Sequence, residues 1–219
     1  MSLKKGLVLD LDISSEGLQG TTKFKDKTPY ENNGTLSNVT LTTDHKGKAN
    51  SAGLFNGTNS YIEILDSSSL HGMSELTISA WIKTNTITQK YQEIIVKGSN
   101  IYLLRLDSGG NIMFAINSMA SSIPNIININ TWYHVTMTWR ALDGKTILYK
   151  NGANIKESIL STSSIVNDGS NVYIGCWHTK LAEFFNGSIE RPQIWNRALS
   201  ADEVKLLYES YNPSLHIDS

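Results

Sequence analysis

Residues 184–211 read FFNGSIERPQIWNRALSADEVKLLYESY, and this stretch changes character half-way along. Up to Trp195 it is strand-like. From Ser200 it is helical: Ser200-Ala-Asp-Glu203 has the spacing of a capping box, in which the serine hydroxyl accepts from the Glu203 N–H and the glutamate reaches back to the Ser200 N–H. Asp202 and Glu203 also sit at the positive end of the helix dipole. Val204, Leu206, Leu207 and Tyr211 are placed on one apolar stripe. A helix this short does not stand alone in water, so it is expected to cover a sheet and carry no chemistry.

Working outward from that stretch, strand patterns dominate. GLVLDLDI (6–13) alternates Leu7, Leu9 and Leu11 against Val8, Asp10 and Asp12. TWYHVTMTW (131–139) alternates Trp132, His134, Thr136 and Thr138 against Tyr133, Val135, Met137 and Trp139. SYIEI (60–64), ELTISAWIK (75–83), QEIIVKG (92–98), IYLLRLD (101–107), NIMFAIN (111–117), NVYIGCW (171–177) and SIERPQIW (188–195) have the same strand character. TILYKNGANI (146–155) predicts a hairpin with Asn151-Gly152 at its tip. Other turn pairs, Asn33-Gly34, Asn56-Gly57, Asp143-Gly144, Asp168-Gly169 and Asn186-Gly187 among them, fall between strands. Short strands so punctuated predict an all-β sandwich or barrel. No repeat, low-complexity tract or linker divides the chain, so residues 1–219 are expected to form a single domain.

Composition narrows the function classes. Of 219 residues, 40% are hydrophobic and 18% charged, which suits a loop-rich β globule. The net charge of −1 comes with no basic run, so no nucleic acid partner is expected. No apolar run approaches the ~18 residues of a membrane span, so no membrane insertion is expected. Residues 1–9 are too short for a secretory signal peptide. Cys176 is the one cysteine, which excludes an intrachain disulfide and a cysteine zinc site. Four Asn-x-Ser/Thr sequons, at Asn33, Asn38, Asn56 and Asn186, read first as turn chemistry.

Phosphate-loop, Gly-x-Ser-x-Gly and His-Glu-x-x-His patterns are absent. A glycosidase needs two carboxylates about 5–9.5 Å apart. Asp10 and Asp12 share a strand face, but that strand reads as half exposed, so a solvated face is the expectation. Oxygen-rich DKTPYENNGT (26–35) is a candidate calcium loop, to which Glu190 adds a carboxylate if the terminal strands pair. Aromatic faces stack on sugar rings. Trp132, Trp139, Tyr149, Trp177 and His178 are the aromatic candidates, with Trp177-His178 on a loop and expected to be the most exposed.

LTISAWIK (76–83), NTWYHVTMTW (130–139), ILYKNGANI (147–155), NVYIG (171–175) and FNGSIERPQIWNRALSADEVKLLY (185–208) together resemble the concanavalin A-like lectin/glucanase superfamily, in its laminin-G-like branch. DKTPYENNGT and AGLFNGTNSYIEI agree with the same family, so the resemblance runs from about residue 6 to residue 211. It implies an antiparallel two-sheet jelly-roll sandwich whose first and last strands lie side by side, with one short C-terminal helix. It also implies a structural calcium held by Asp26, Glu190 and a carbonyl near Asn33. Two positions depart from the family pattern: Glu190 is longer than the usual Asp, and Pro192 removes a strand donor. The acidic strand motif of the glucanase branches is missing, so no catalytic role is expected. The reading is a carbohydrate-binding module acting outside the cell or on a particle surface, with Trp177, His178 and Arg105 contacting a glycan. A module that contacts a surface protein is the alternative.

Overall fold

A computed structural model describes residues 2–210 of the chain. It shows two antiparallel sheets packed face to face, and one helix, among the described residues. The eight-stranded sheet runs, edge to edge, Ala153–Ile159, Lys145–Lys150, Tyr133–Arg140, Glu75–Thr84, Asn186–Trp195, Ala52–Asn56 and Thr40–Thr42, with Leu7–Asp10 also pairing on Asn186–Trp195. The nine-stranded sheet runs Met119–Ile123, Asn111–Ile116, Tyr102–Asp107, Tyr91–Lys97, Val172–Ile174, Tyr61–Ile64, Gly34–Ser37, Lys23–Phe24 and Leu18–Gln19.

Period-2 alternation sorts side chains as expected in the central strands, but in Leu7–Asp10 an irregularity after Leu7 turns Leu7 to the outer face and Val8 into the core. Val135, Met137 and Trp139 point inward with Leu76, Ile78, Ala80 and Ile82 of the neighbouring strand. Tyr102, Leu104, Leu106, Phe114, Ile62 and Ile64 line the facing sheet. The first strand does meet the last: Leu7 lies opposite Trp195 and Asp10 opposite Gln193. Between Glu190 and Gln193 the register slips, and Arg191 there takes a φ of 46°. Pro192 falls inside that bulge, where the missing N–H costs no ladder bond. At the hairpin tip, Asn151 (φ 52°) and Gly152 (φ 78°) adopt the left-handed pair of a two-residue turn.

Helix α1 (Ala201–Ser210) is capped as its sequence predicts: the Glu203 N–H donates to Ser200 Oγ at 3.2 Å, and the Ser200 N–H to Glu203 Oε2 at 3.0 Å. Val204 and Leu207 pack with Tyr149, Trp195 and Leu199 on the outer face of the eight-stranded sheet. Leu206 does not join them. It is 42% exposed, because two residues along a helix turn a side chain about 200° away. Tyr211 lies outside the described residues.

The expectation of a solvated Asp10 is corrected. Asp10 is buried, and its carboxylate accepts from Arg191 Nε (2.9 Å), Arg191 Nη2 (3.0 Å) and Gln193 Nε2 (3.0 Å). The pairing of the terminal strands brings these groups together from opposite ends of the sequence.

Candidate functional site

The outer face of the nine-stranded sheet is built differently from the inner one. Val96, Leu103, Ala115, Tyr173 and Cys176 form a small apolar cluster there, against which Tyr61, Trp177 and Phe184 pack. The chain reaches this face by turning at Gly175. Its φ is 84°, and a Cβ would stand 2.3 Å from the Phe55 ring, so only glycine fits. The following loop folds back over the cluster. The Trp177 N–H donates to Ala182 O (3.1 Å), the Lys180 N–H to Trp177 O (2.8 Å), and the Phe185 N–H to Gly175 O (2.9 Å).

A charged row lies beside the loop. Glu93, Arg105 and Met113 sit opposite one another on three adjacent strands. A bulge in this pairing lets Ile94 and Ile95 both face the core, so that Glu93 and Val96 share the outer face. Arg105 Nη1 donates to Glu93 Oε1 (3.1 Å) and to Glu183 Oε2 (3.3 Å) of the loop. Its Nε and Nη2 reach Met113 Sδ at 3.2 and 3.1 Å. The guanidinium carbon lies 3.7 Å from the Tyr91 ring centre. Arg105 is therefore 7% exposed, and four of its five N–H groups contact Glu93, Glu183 and Met113, which makes it a brace of the site.

Glu93 is fully buried. Burial first, and then the hydrogen-bonding proximity of the Glu183 carboxylate, push its pKa well above the usual carboxylate range, with Arg105 opposing. Its Oε2 has no donor among the described residues. Burial also raises the Cys176 thiol to about 12, with the nearby Glu93 adding to the effect. The thiol is accordingly inert. At the loop's other side Glu63 Oε1 accepts from Tyr173 Oη (2.7 Å), Asn171 Nδ2 (2.9 Å) and Lys180 Nζ (3.4 Å).

An open cleft of about 400 Å³ borders this row, lined by Gly57, Gln89, Lys90, Tyr91, Glu183 and Phe184. Trp177 and His178 are half-buried nearby on the same loop, their rings edge-to-face with centres 4.7 Å apart. Trp177 also lies 6.0 Å from the Arg105 guanidinium, which ties it to the row. Polar acceptors beside half-exposed aromatic faces are what a polyhydroxylated ligand requires. Two carboxyl groups do converge here on Arg105 Nη1, and one of them is fully buried.

The three residues named for calcium enter two separate networks. Asp26 accepts from the N–H groups of Asp10 (2.9 Å), Thr28 (3.0 Å) and Asn32 (2.9 Å) and from the Thr28 hydroxyl (2.6 Å). Asn33 Oδ1 accepts from the Asp26 N–H at 2.9 Å. Glu190 instead holds His45, whose Nδ1 lies 3.0 and 2.8 Å from its two oxygens. Four protein donors occupy the Asp26 carboxylate, so this set does not fit a cation as it stands. Among the described residues no cluster of three or more His, Cys, Asp or Glu is arranged for a metal.

Of the aromatic candidates, Trp139 and Tyr149 are buried, in the inner core and beneath the helix respectively. Tyr91, Glu93, Glu183 and Phe184 were missed by the sequence reading. Glu183 meets Glu93 only because the loop folds over the sheet, and spacing along the chain carries no sign of that.

The fold agrees with comparison to known proteins. The sequence profile of the concanavalin A-like lectin/glucanases superfamily, in its laminin-G form, matches residues 56–205. The chain belongs to that superfamily. C-reactive protein 3.3 of Limulus polyphemus is 23% identical over 159 residues, 66% of each chain. Paraclostridial mosquitocidal protein 1 of Paraclostridium bifermentans is 26% identical over 235 residues, 96% of this chain and 18% of that protein. Its solved binding domain superposes with a TM-score of 0.73 at 22% identity, covering 96% of this chain and 53% of that one. The ligand-binding domain of botulinum neurotoxin serotype D, solved with N-acetylneuraminic acid, gives 0.71 at 17% identity over 94% of this chain and 51% of that one. This superfamily member thus spans about two-thirds of the C-reactive protein and about half of each solved toxin binding domain, and those likenesses show the fold.

Proposed function

We infer that this chain is a non-catalytic carbohydrate-binding module, acting outside the cell or on a particle surface, and that its glycan site is the cleft beside the Trp177–Phe184 loop. The observation that carries this reading is the half-exposed Trp177–His178 pair, set next to a cleft with the Tyr91 ring, the Glu183 carboxylate and the Gln89 amide. An aromatic face contributes the apolar stacking surface, and the Glu183 carboxylate accepts sugar hydroxyls, with Gln89 also lining the cleft. The relatives support the same class of function: an invertebrate C-reactive protein, a toxin binding domain, and a neurotoxin domain solved with a sialic acid.

A glycan array probed with the wild-type chain and with Trp177→Ala tests the reading. Retention of at least one oligosaccharide class by the wild type, weakened in the variant, is the expected result. No retention on any glycan, or retention indifferent to Trp177, overturns it.

A partner protein is the second reading. The edge strand Met119–Ile123 favours it, being largely exposed and free of the charged or proline residues that usually protect an edge.

A further inference from the structure

Two carboxyl groups and one guanidinium meet where the Trp177–Phe184 loop is anchored, and their hydrogen bonds balance only if one proton is retained. Arg105 Nη1 serves Glu93 Oε1 and Glu183 Oε2. Glu93 Oε2, fully enclosed, is left with no donor among the described residues, while the Glu183 carboxylate lies within hydrogen-bonding reach. A bare carboxylate there would face another carboxylate with its own Oε2 shut off from water. A carboxylic acid there donates to Glu183, and the orphaned oxygen is satisfied.

We propose that Glu93 is a positioning residue that keeps its proton at neutral pH, donates it to Glu183, and so latches the Trp177–Phe184 loop over the sheet; loss of that proton releases the loop and weakens glycan binding. The binding half of this statement rests on the site assigned above; the latch itself does not.

The groups that face Glu93 set the direction of the switch. Arg105 comes from the neighbouring strand, Glu183 from the loop, and the Cys176 thiol from the loop's start. The thiol stays neutral over the working range. With the proton in place, Arg105 faces one negative charge; without it, Arg105 faces two, of which Glu183 is the one that can move away. The Glu93 N–H also donates to Glu183 O at 3.0 Å, so departure of Glu183 breaks a backbone bond as well. On the far side of the loop, the Lys180–Glu63 contact at 3.4 Å remains as a hinge. Burial and the second carboxylate both raise the Glu93 pKa, so raising the pH, not lowering it, is what releases the loop.

Acrylamide quenching of Trp177 fluorescence, taken as the difference between wild type and Trp177→Phe, tests the latch without any sugar. Quenching is expected to rise at least about twofold as the pH is raised and the Glu93 proton is lost. Glu93→Gln keeps the donor and carries no charge, so it should stay at the low-pH level throughout. Infrared spectra should show a protonated-carboxyl stretch in the wild type at neutral pH that vanishes in Glu93→Gln. If that variant does not fold, Glu183→Gln is the second probe, and it should flatten the same profile. A wild-type profile that is flat, or one unchanged in the variant that folds, overturns the latch. In parallel, lactose and sialyllactose are titrated over the same pH range. Binding of either that falls with the quenching transition supports the link to the cleft, and pH-independent binding alongside a pH-dependent loop overturns that link. If neither sugar binds, the quenching arm still decides the latch, and the failure belongs to the glycan assignment.

Discussion

Over the eight-stranded sheet the cover is helix α1, and what it buries is mostly apolar: Trp195, Leu199, Val204 and Leu207, with Tyr149 beneath. Over the nine-stranded sheet the cover is the Trp177–Phe184 loop, held by a smaller apolar cluster and by Arg105, Glu93 and Glu183. Apolar burial is non-directional, so the helix side behaves as a fixed wall over the neutral range. Ionic anchoring in a low-dielectric site depends on protonation and on the geometry of a few atoms, so the loop side is adjustable. The difference teaches why the candidate binding groups lie on one outer face and not on the other.

The strongest way to break this contrast is Trp195→Ala. Trp195 is fully buried, and its Nε1 donates to Leu3 O at 2.7 Å. Urea denaturation should show a loss of about 3–5 kcal/mol, more than any single truncation in the loop. An equal loss from Trp177→Ala would erase the distinction.

The next largest effect is acid lability on the helix side. His134 is buried, its Nε2 2.8 Å from Ser79 Oγ, with the rings of Trp81 and Tyr208 at 5.2 and 6.0 Å. Burial, aided by His45, holds its pKa down at about 3. An unfolded-chain histidine titrates near about 6.5, so below that pH only the unfolded state gains the proton. Stability is therefore full above about pH 6.5 and falls by about 1.4 kcal/mol per pH unit below it. Denaturation midpoints measured against pH should follow that slope in the wild type and lose most of it in His134→Gln; parallel slopes in the two proteins would contradict the account.

Trp177→Ala sharpens the comparison from the other side. A half-exposed ring that stacks on a sugar contributes about 1 kcal/mol to binding, so affinity for a retained glycan should drop several-fold while the unfolding midpoint changes little. The smallest effect expected is that of calcium. With Asp26 occupied by four protein donors, thermal unfolding with calcium and with a chelator should give the same midpoint, because a ligand that selects the native state must raise it.

The fold was largely legible in the sequence. The capping box at Ser200, the Asn151-Gly152 turn and the alternation over 131–139 each correspond to a local rule that tertiary contacts reinforce. Short polar strands were not legible. Gly34–Ser37, Thr40–Thr42 and Met119–Ile123 are polar or small, and cross-strand pairing makes them strands. The site was legible only in part. Trp177 and His178 stood out as a loop aromatic pair and Arg105 as a glycan contact, but spacing gave no sign that neighbours on two strands and one loop enclose Arg105. The bulge at Ile94 was invisible as well, since QEIIV offers no glycine or proline to mark it. Asp26 and Glu190 seemed poised to share an ion, but side chains can claim one another's lone pairs in ways that spacing does not reveal.

The seam between Leu7–Asp10 and Gln193–Trp195 bears on the order in which the molecule can be made. A ribosome releases the first strand long before the segment that will flank it exists. Asn186–Trp195 also pairs with Glu75–Thr84 and Ala52–Asn56, so three early strands wait on one late arrival. Such long-range pairing slows folding and leaves strand edges exposed in the interim. Assembly of the eight-stranded layer therefore waits until residues 186–195 have been made, and nascent chains halted before residue 186 should be strongly dependent on chaperones.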